Sequence, residues 1–119
     1  IRKELKRLMA LGNPPTAAMC TSDFFAMSVM KIANDLKIQM PERLSVMGYC
    51  GYPGGRFLTP PLSTVDLHYD AIGRKVVEVL ARADRWFGRK NVAVPEIIMP
   101  HDVVMRESTM VKRVEPLFV

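Results

Sequence analysis

The sequence predicts an α/β layer with a largely parallel sheet, and three observations carry that prediction. Leu44 to Tyr49 is an almost continuous apolar run, the pattern of a parallel strand covered on both faces. Between it and an earlier short run, Ala17 to Cys20, the residues Ala26, Val29, Met30, Ala33 and Leu36 recur at helical spacing. Strand, helix and strand in that order make a βαβ unit with a right-handed crossover. The whole chain then reads α-β-α-β-loop-β-α-β-β, an alternation that belongs to layered α/β architecture.

Taken in order, Ile1 to Leu11 reads as a helix, with Ile1, Leu5, Leu8 and Met9 on one face. Gly12-Asn13 stops it and Pro14-Pro15 forbids its continuation. The chain opens on Ile1 rather than Met, and this helix lacks an N-terminal cap, so an excised or processed piece is expected. Ala17 to Cys20 is too short to assign by periodicity; the flanking prolines and the cap that follows favour a strand. Ser22 or Asp23 caps the next helix, which runs to about Leu36. Phe24, Phe25 and Met27 widen its apolar surface beyond one stripe, so it is either sandwiched within the chain or shared with a partner.

Lys37 to Arg43 is a connector containing Pro41, and Gly51 to Phe57 is a loop because Pro and Gly interrupt any period. Pro60-Pro61 leads into a short extended piece, Leu62 to Val65. His68 to Gly88 is the clearest helix, with Ile72, Val76, Val79, Leu80 and Ala83 on one face and Gly88 as its stop. Val94 to Met99 and Asp102 to Met105 read as strands separated by Pro100, the second suited to an edge. Val111 to Val119 is either a docked strand or disordered.

Composition narrows the function classes. A chain of 119 residues is one domain or part of one. No apolar run approaches the roughly 20 residues needed to span a bilayer. The net charge of +5 sits mainly in Arg2–Arg7 and Arg82–Lys90, without the interleaved aromatics of a single-strand binder. The chain carries no zinc-finger, RNP1 or evident helix-turn-helix pattern. Cys20 and Cys50 each end an apolar run and read as buried, reduced thiols, which favours a cytoplasmic setting.

No catalytic set, metal site or cofactor motif emerges. The glycines of Gly51 to Gly55 form neither Gly-x-Gly-x-x-Gly nor a P-loop. Asp66, His68, Asp70 and Asp102 could serve a metal or acid–base chemistry, but a zinc site needs three or four converging ligands. An acidic residue at a strand-to-helix boundary is equally explained by the helix dipole. Cys50 with His68 has no local motif of a nucleophile–base pair. Ser22-Asp23 reads either as a helix cap or as part of a ligand site at a strand end.

Four segments, in order, resemble the C-terminal part of the effector-binding domain of LacI/GalR transcription regulators. They are Pro15-Thr-Ala-Ala-Met-Cys-Thr-Ser-Asp-Phe-Phe-Ala26, Met40-Pro-Glu-Arg-Leu-Ser-Val-Met-Gly-Tyr49, Thr59-Pro-Pro-Leu-Ser-Thr-Val65 and Met105-Arg-Glu-Ser-Thr109. The resemblance implies a partial three-layer doubly wound sheet of the periplasmic-binding-protein-like type I fold. Residues 1–63 and about 94–109 would belong to the C-terminal lobe, and the helix within 64–90 would pack on an N-terminal lobe absent from this chain. It also implies a small-molecule effector, a sugar or related metabolite, at the lobe cleft. DNA would be bound only through a headpiece that this chain does not contain, and no membrane would be involved.

The resemblance assigns Ser22, Asp23, Cys50 and Tyr69 to the effector cleft. Ser22 falls where the family often has Asn, and Asp23 matches the Asp that follows it. Cys50 falls where many sugar- and purine-binding members carry Asp, and Tyr69 lies near an aromatic that lines the cleft in some. A thiol accepts hydrogen bonds weakly where a carboxylate accepts two, a difference of about 1–3 kcal/mol in recognition. Phe24, Met27, Met30, Phe57 and Leu58 are the implied dimer contacts, and a homodimer or higher self-association is expected. Two other readings share the fold. A transporter's solute-binding protein lacks support from any visible signal peptide, and an α/β enzyme would need a convergent catalytic group at the strand ends.

Overall fold

A computed structural model describes residues 1–82 and 96–110. The elements are α1 (Arg2–Met9), β1 (Ala17–Met19), α2 (Asp23–Asp35), β2 (Ser45–Cys50), a short 3-10 turn (Pro53–Phe57), β3 (Ser63–Asp66), α3 (Tyr69–Leu80) and β4 (Asp102–Val104). Among the described residues the strands form one sheet in the order β1-β2-β3-β4. β1 and β2 run parallel with Ala18 beside Val46, and β2 and β3 run parallel with Gly48 beside Thr64. β4 is antiparallel, with Val103 beside Val65, and it forms the edge that its short sequence suggested. The sheet is therefore mixed but mostly parallel.

The core follows from the apolar periodicity. Ala26, Met30 and Ala33 of α2 meet Leu44 and Val46 of the β2 run, and Leu5, Ile38 and Leu62 complete the cluster. The small residues Ala26 and Ala33, both fully buried, let the helix approach the sheet closely.

The Arg106–Thr109 segment is built into the sheet as a peg. The ladder from β2 to β3 begins only at Met47 beside Ser63, so the Val46 N–H has no β3 partner. The Ser108 carbonyl accepts from it at 2.7 Å. The fully buried Ser108 hydroxyl accepts from Ser63 N at 2.8 Å and donates to the Val46 carbonyl at 2.6 Å. Arg106 donates to the Leu62 carbonyl from its guanidinium. Buried polar groups need such partners, which explains how Ser108 can sit inside the core.

Three expectations change. The expected Val94–Met99 strand does not form over the described residues 96–99, which carry no regular secondary structure; 94 and 95 lie outside the described residues. Ile97 and Met99 instead line a hollow of about 240 Å³ with Ile72, Val76 and Val79 of α3, so the apolar residues pack on a helix rather than in a ladder. Helix α3 ends at Leu80, with Ala81 as its cap, and the proposed stop at Gly88 lies outside the described residues, as does the 111–119 tail. Helix α1 ends at Met9, two residues before the expected Leu11. No residue of α3 is fully buried, and Val76, Val77 and Leu80 stay exposed. No described helix is long and apolar enough to cross a membrane.

Candidate functional site

The carboxyl ends of β1, β2 and β3 lie side by side, the place where open α/β sheets receive ligands. At the end of β1 the chain turns through Ser22 into α2. Ser22 has extended backbone, and its hydroxyl accepts from Phe25 N at 3.3 Å, so it is the N-cap. The next residue, Asp23, is completely enclosed. One carboxylate oxygen accepts from the Thr64 hydroxyl of β3 at 2.6 Å, and the other accepts from the Tyr52 N–H beyond β2. Asp23 therefore does not face a ligand. It ties the head of α2 to two strand ends and forms the floor of the site, which corrects the expectation that its carboxylate contacts an effector.

Gly48 makes that floor possible. A Cβ at this position would stand 2.0 Å from Asp23 Oδ1. A glycine inside a strand often marks such a close approach, and this is the signal that sequence reasoning passed over. Thr64 is a second missed residue: its hydroxyl also accepts from Gly51 N at 3.3 Å, completing the network. Gly51 itself has φ +74, and a side chain there would collide with Asp66.

Cys50 and Tyr69, which the sequence places 19 positions apart, come together. Cys50 ends β2 in an unusual conformation for a non-glycine residue, φ 110. The neighbouring Cys50 thiol, ahead of partial desolvation, pushes the Tyr69 phenol above its ordinary pKa, with Tyr49 and Asp23 adding to the effect. Tyr69 and Tyr49 are both exposed. Tyr49 also lines an open hollow of about 330 Å³ with Met19, Cys20 and Thr21. Burial pushes the Cys20 thiol up from its ordinary value, and both cysteines are free.

At the start of α3 the acidic residues singled out in the sequence find structural partners. Asp66 accepts from His68 N at 2.9 Å, and the His68 ring meets Asp102 at 2.9 Å across β3 and β4. Asp70 pairs with Arg74 one turn on. Among the described residues no group of three or more His, Cys, Asp or Glu could hold a metal ion.

On the outer side of α2, Met27, Met30, Phe57 and Leu58 line one groove of about 450 Å³ together with Lys31 and Asn34. Phe24 lies outside it and packs on Tyr52 in a tilted pair with ring centroids 4.9 Å apart. Phe57 is 81% exposed and Phe24 64%. Met30 is 3% exposed and belongs chiefly to the core, so its sequence assignment as a contact residue is corrected: it backs the groove.

Comparison with known proteins places this geometry. The family description "periplasmic binding protein-like domain" matches residues 1–109. The HTH-type transcriptional repressor CytR of Escherichia coli (strain K12) is 31% identical over 107 residues, 90% of this chain and 30% of the relative. The HTH-type transcriptional repressor PurR of Salmonella newport is 29% identical over 76 residues, 64% of this chain and 22% of the relative. The chain thus spans less than a third of the length of these curated relatives. A LacI-type transcription regulator from Bifidobacterium animalis subsp. lactis superposes with a TM-score of 0.78 at 24% identity, over 92% of this chain and 38% of that one. A LacI family regulator from Lactobacillus casei with bound sucrose superposes at 0.72 and 23% identity, over 91% and 39%. At that identity these structures support the fold. The chain belongs to the periplasmic binding protein-like domain family.

Proposed function

We propose that this domain is the effector-binding and dimerising part of a cytoplasmic, non-enzymatic transcriptional regulator. A small molecule, a sugar or related metabolite, binds against the strand ends at Ser22, Cys50 and Tyr69 and alters operator binding by a headpiece elsewhere in the polypeptide. The observation that carries this reading is that the carboxyl ends of β1, β2 and β3 lie side by side, with Ser22 just after β1, Cys50 ending β2 and Tyr69 just after β3, over a floor fixed by Asp23. Residues 1–63 and 94–109 are assigned to the C-terminal lobe, and the exposed apolar stripe of α3 suits packing on an N-terminal lobe.

Dimerisation uses the outer face of α2 and the 3-10 turn. Phe24 and Phe57 are large and exposed, and Phe57 lines the groove with Met27, an arrangement suited to the apolar centre of a protein interface. A charge there leaves the fold intact and opposes burial. In sedimentation velocity of the full-length polypeptide, Phe57→Glu should shift a dimer to monomer and weaken dimerisation by at least about tenfold. An unchanged dimer would remove this face from the interface. A thermal-shift screen of sugars and related metabolites on the same polypeptide tests the cleft, since a ligand of the native state raises the melting temperature. Ligand binding that persists unchanged in a Tyr69→Leu, Cys50→Ala double variant would refute the assignment.

A further inference from the structure

Two aspartates stand opposite each other where the chain leaves the sheet and where it returns. Asp66 ends β3, Asp102 begins β4, and the two are cross-strand partners in the antiparallel ladder. Like charges in that relation repel. Only Leu67 separates Asp66 from His68, which heads α3 in a left-handed conformation, φ 52 and ψ 56, with no side-chain cap bond. The His68 ring presents one nitrogen to each carboxylate. Nε2 lies 2.9 Å from Asp102 Oδ2, and Nδ1 lies 3.9 Å from Asp66 Oδ1. Asp66 is held there by accepting from the His68 N–H at 2.9 Å. The other titratable or charged groups on the adjoining elements are Cys50, beside Asp66 on β2, Tyr69 and Asp70 on the first turn of α3, where Asp70 pairs with Arg74, and the exposed His101 before β4.

A neutral imidazole has one N–H to give. Donated from Nε2 to Asp102, it leaves the bare Nδ1 lone pair toward the Asp66 carboxylate. A second proton puts an N–H toward each aspartate and a positive charge beside two negative ones. Histidine is the side chain whose charge ordinarily changes between about pH 5 and 8. The element this contact steadies is α3. No residue of that helix is fully buried, and its Ile72, Val76 and Val79 share a hollow with Ile97 and Met99 of the returning segment. The outgoing and returning connections therefore set how α3 stands against the sheet, and His68 bridges them.

We propose that His68 is a pH-sensitive latch: protonated, it clasps Asp66 and Asp102 and fixes both connections between the sheet and α3; neutral, it holds Asp102 alone and the connections loosen. Hydrogen exchange read by mass spectrometry on the full-length polypeptide tests this. Peptides covering residues 66–72 and 101–105 are compared at about pH 5.5 and about pH 8, after correction for the intrinsic pH dependence of exchange. Both segments should exchange about two- to fivefold more slowly at the lower pH, the range of a partly exposed ion pair. His68→Gln keeps a donor but cannot take the charge, so it should abolish the slowing in both segments. Asp102→Asn should shrink it, and that side chain is 73% exposed, so this variant reports even if the first misfolds. His101→Gln should leave the response intact. The latch is overturned by a wild-type response confined to 66–72, by no response, by one that survives His68→Gln, or by one that His101→Gln removes.

Discussion

Replacing Gly48 by Ala probes the contact on which the site rests. The added Cβ would stand 2.0 Å from Asp23 Oδ1, 3.1 Å from its Cγ and 3.2 Å from its Cα. Relief requires the carboxylate to move by about 1 Å, which stretches its 2.6 Å bond to Thr64 beyond hydrogen-bond range. A hydrogen bond to a buried charge contributes about 1.5–3 kcal/mol, and overpacking a tight site costs about 1–3 kcal/mol. The two overlap, because moving the carboxylate relieves the clash, so the expected loss is about 2–4 kcal/mol, or roughly 8–16 °C in melting temperature for a domain of this size. Urea denaturation measures it, and a double-mutant cycle with Asp23→Ala isolates its cause. Without the Asp23 carboxylate only the 3.2 Å approach to the residue-23 Cα remains, so the cost of Gly48→Ala should fall to about 1 kcal/mol or less. Costs that add to within about 0.5 kcal/mol in the double variant would show that the two residues are not coupled, and the floor would need another explanation.

Two further predictions concern other parts of the sheet. Ser108→Ala should destabilise by about 2–3 kcal/mol in the same denaturation assay, because it strands the buried Ser63 N–H and removes a donor to the Val46 carbonyl; a loss below about 0.5 kcal/mol would contradict the peg. For Cys20 the folded-state pKa is raised by burial above the ordinary 9.0, so the unfolded thiol ionises first. Its contribution to stability is complete below that value and is lost as pH rises through it toward the folded pKa, so the stability difference between wild type and Cys20→Ala should shrink across that window when urea midpoints are compared at several pH values; a pH-independent difference would refute the assignment.

The parts of the fold that were legible are those encoded by local pattern. The Leu44–Tyr49 run and the Ala26–Met30–Ala33 stripe fall where strand β2 and helix α2 form, because one-face burial imposes a period the sequence must carry. The expected strand does not form over the described 96–99, because a short apolar segment suits a strand or any other apolar contact equally. Whether Ile97 joins a ladder or leans on Ile72 is decided by tertiary position. Site residues were legible to the extent that a family resemblance supplied them. It named Cys50, which ends β2, Tyr69, which begins α3, and Asp23, whose carboxylate turns inward. That inward turn depends on Thr64, 41 residues away, and on the absence of a side chain at Gly48. No local spacing rule records such a contact.

Tyr52 connects the two surfaces that the chain builds around α2. Its backbone N–H donates to Asp23 beneath the strand ends, and its ring packs on Phe24 at the outer face. Only Gly51 separates it from Cys50 on one side, and Pro53 begins the 3-10 turn that carries Phe57 on the other. Gly51 is held in turn by the Thr64 hydroxyl and by the close approach of Asp66, so the segment has little freedom to shift alone. Asp23 fixes the same segment from below by accepting from the Tyr52 N–H, and it holds the neighbouring strand by accepting from the Thr64 hydroxyl. The wall of the cleft and the edge of the outer groove are therefore one continuous piece of backbone, anchored on a single buried carboxylate. An Asp23 variant should not be read as a ligand-contact variant, because it loosens both surfaces at once while touching neither.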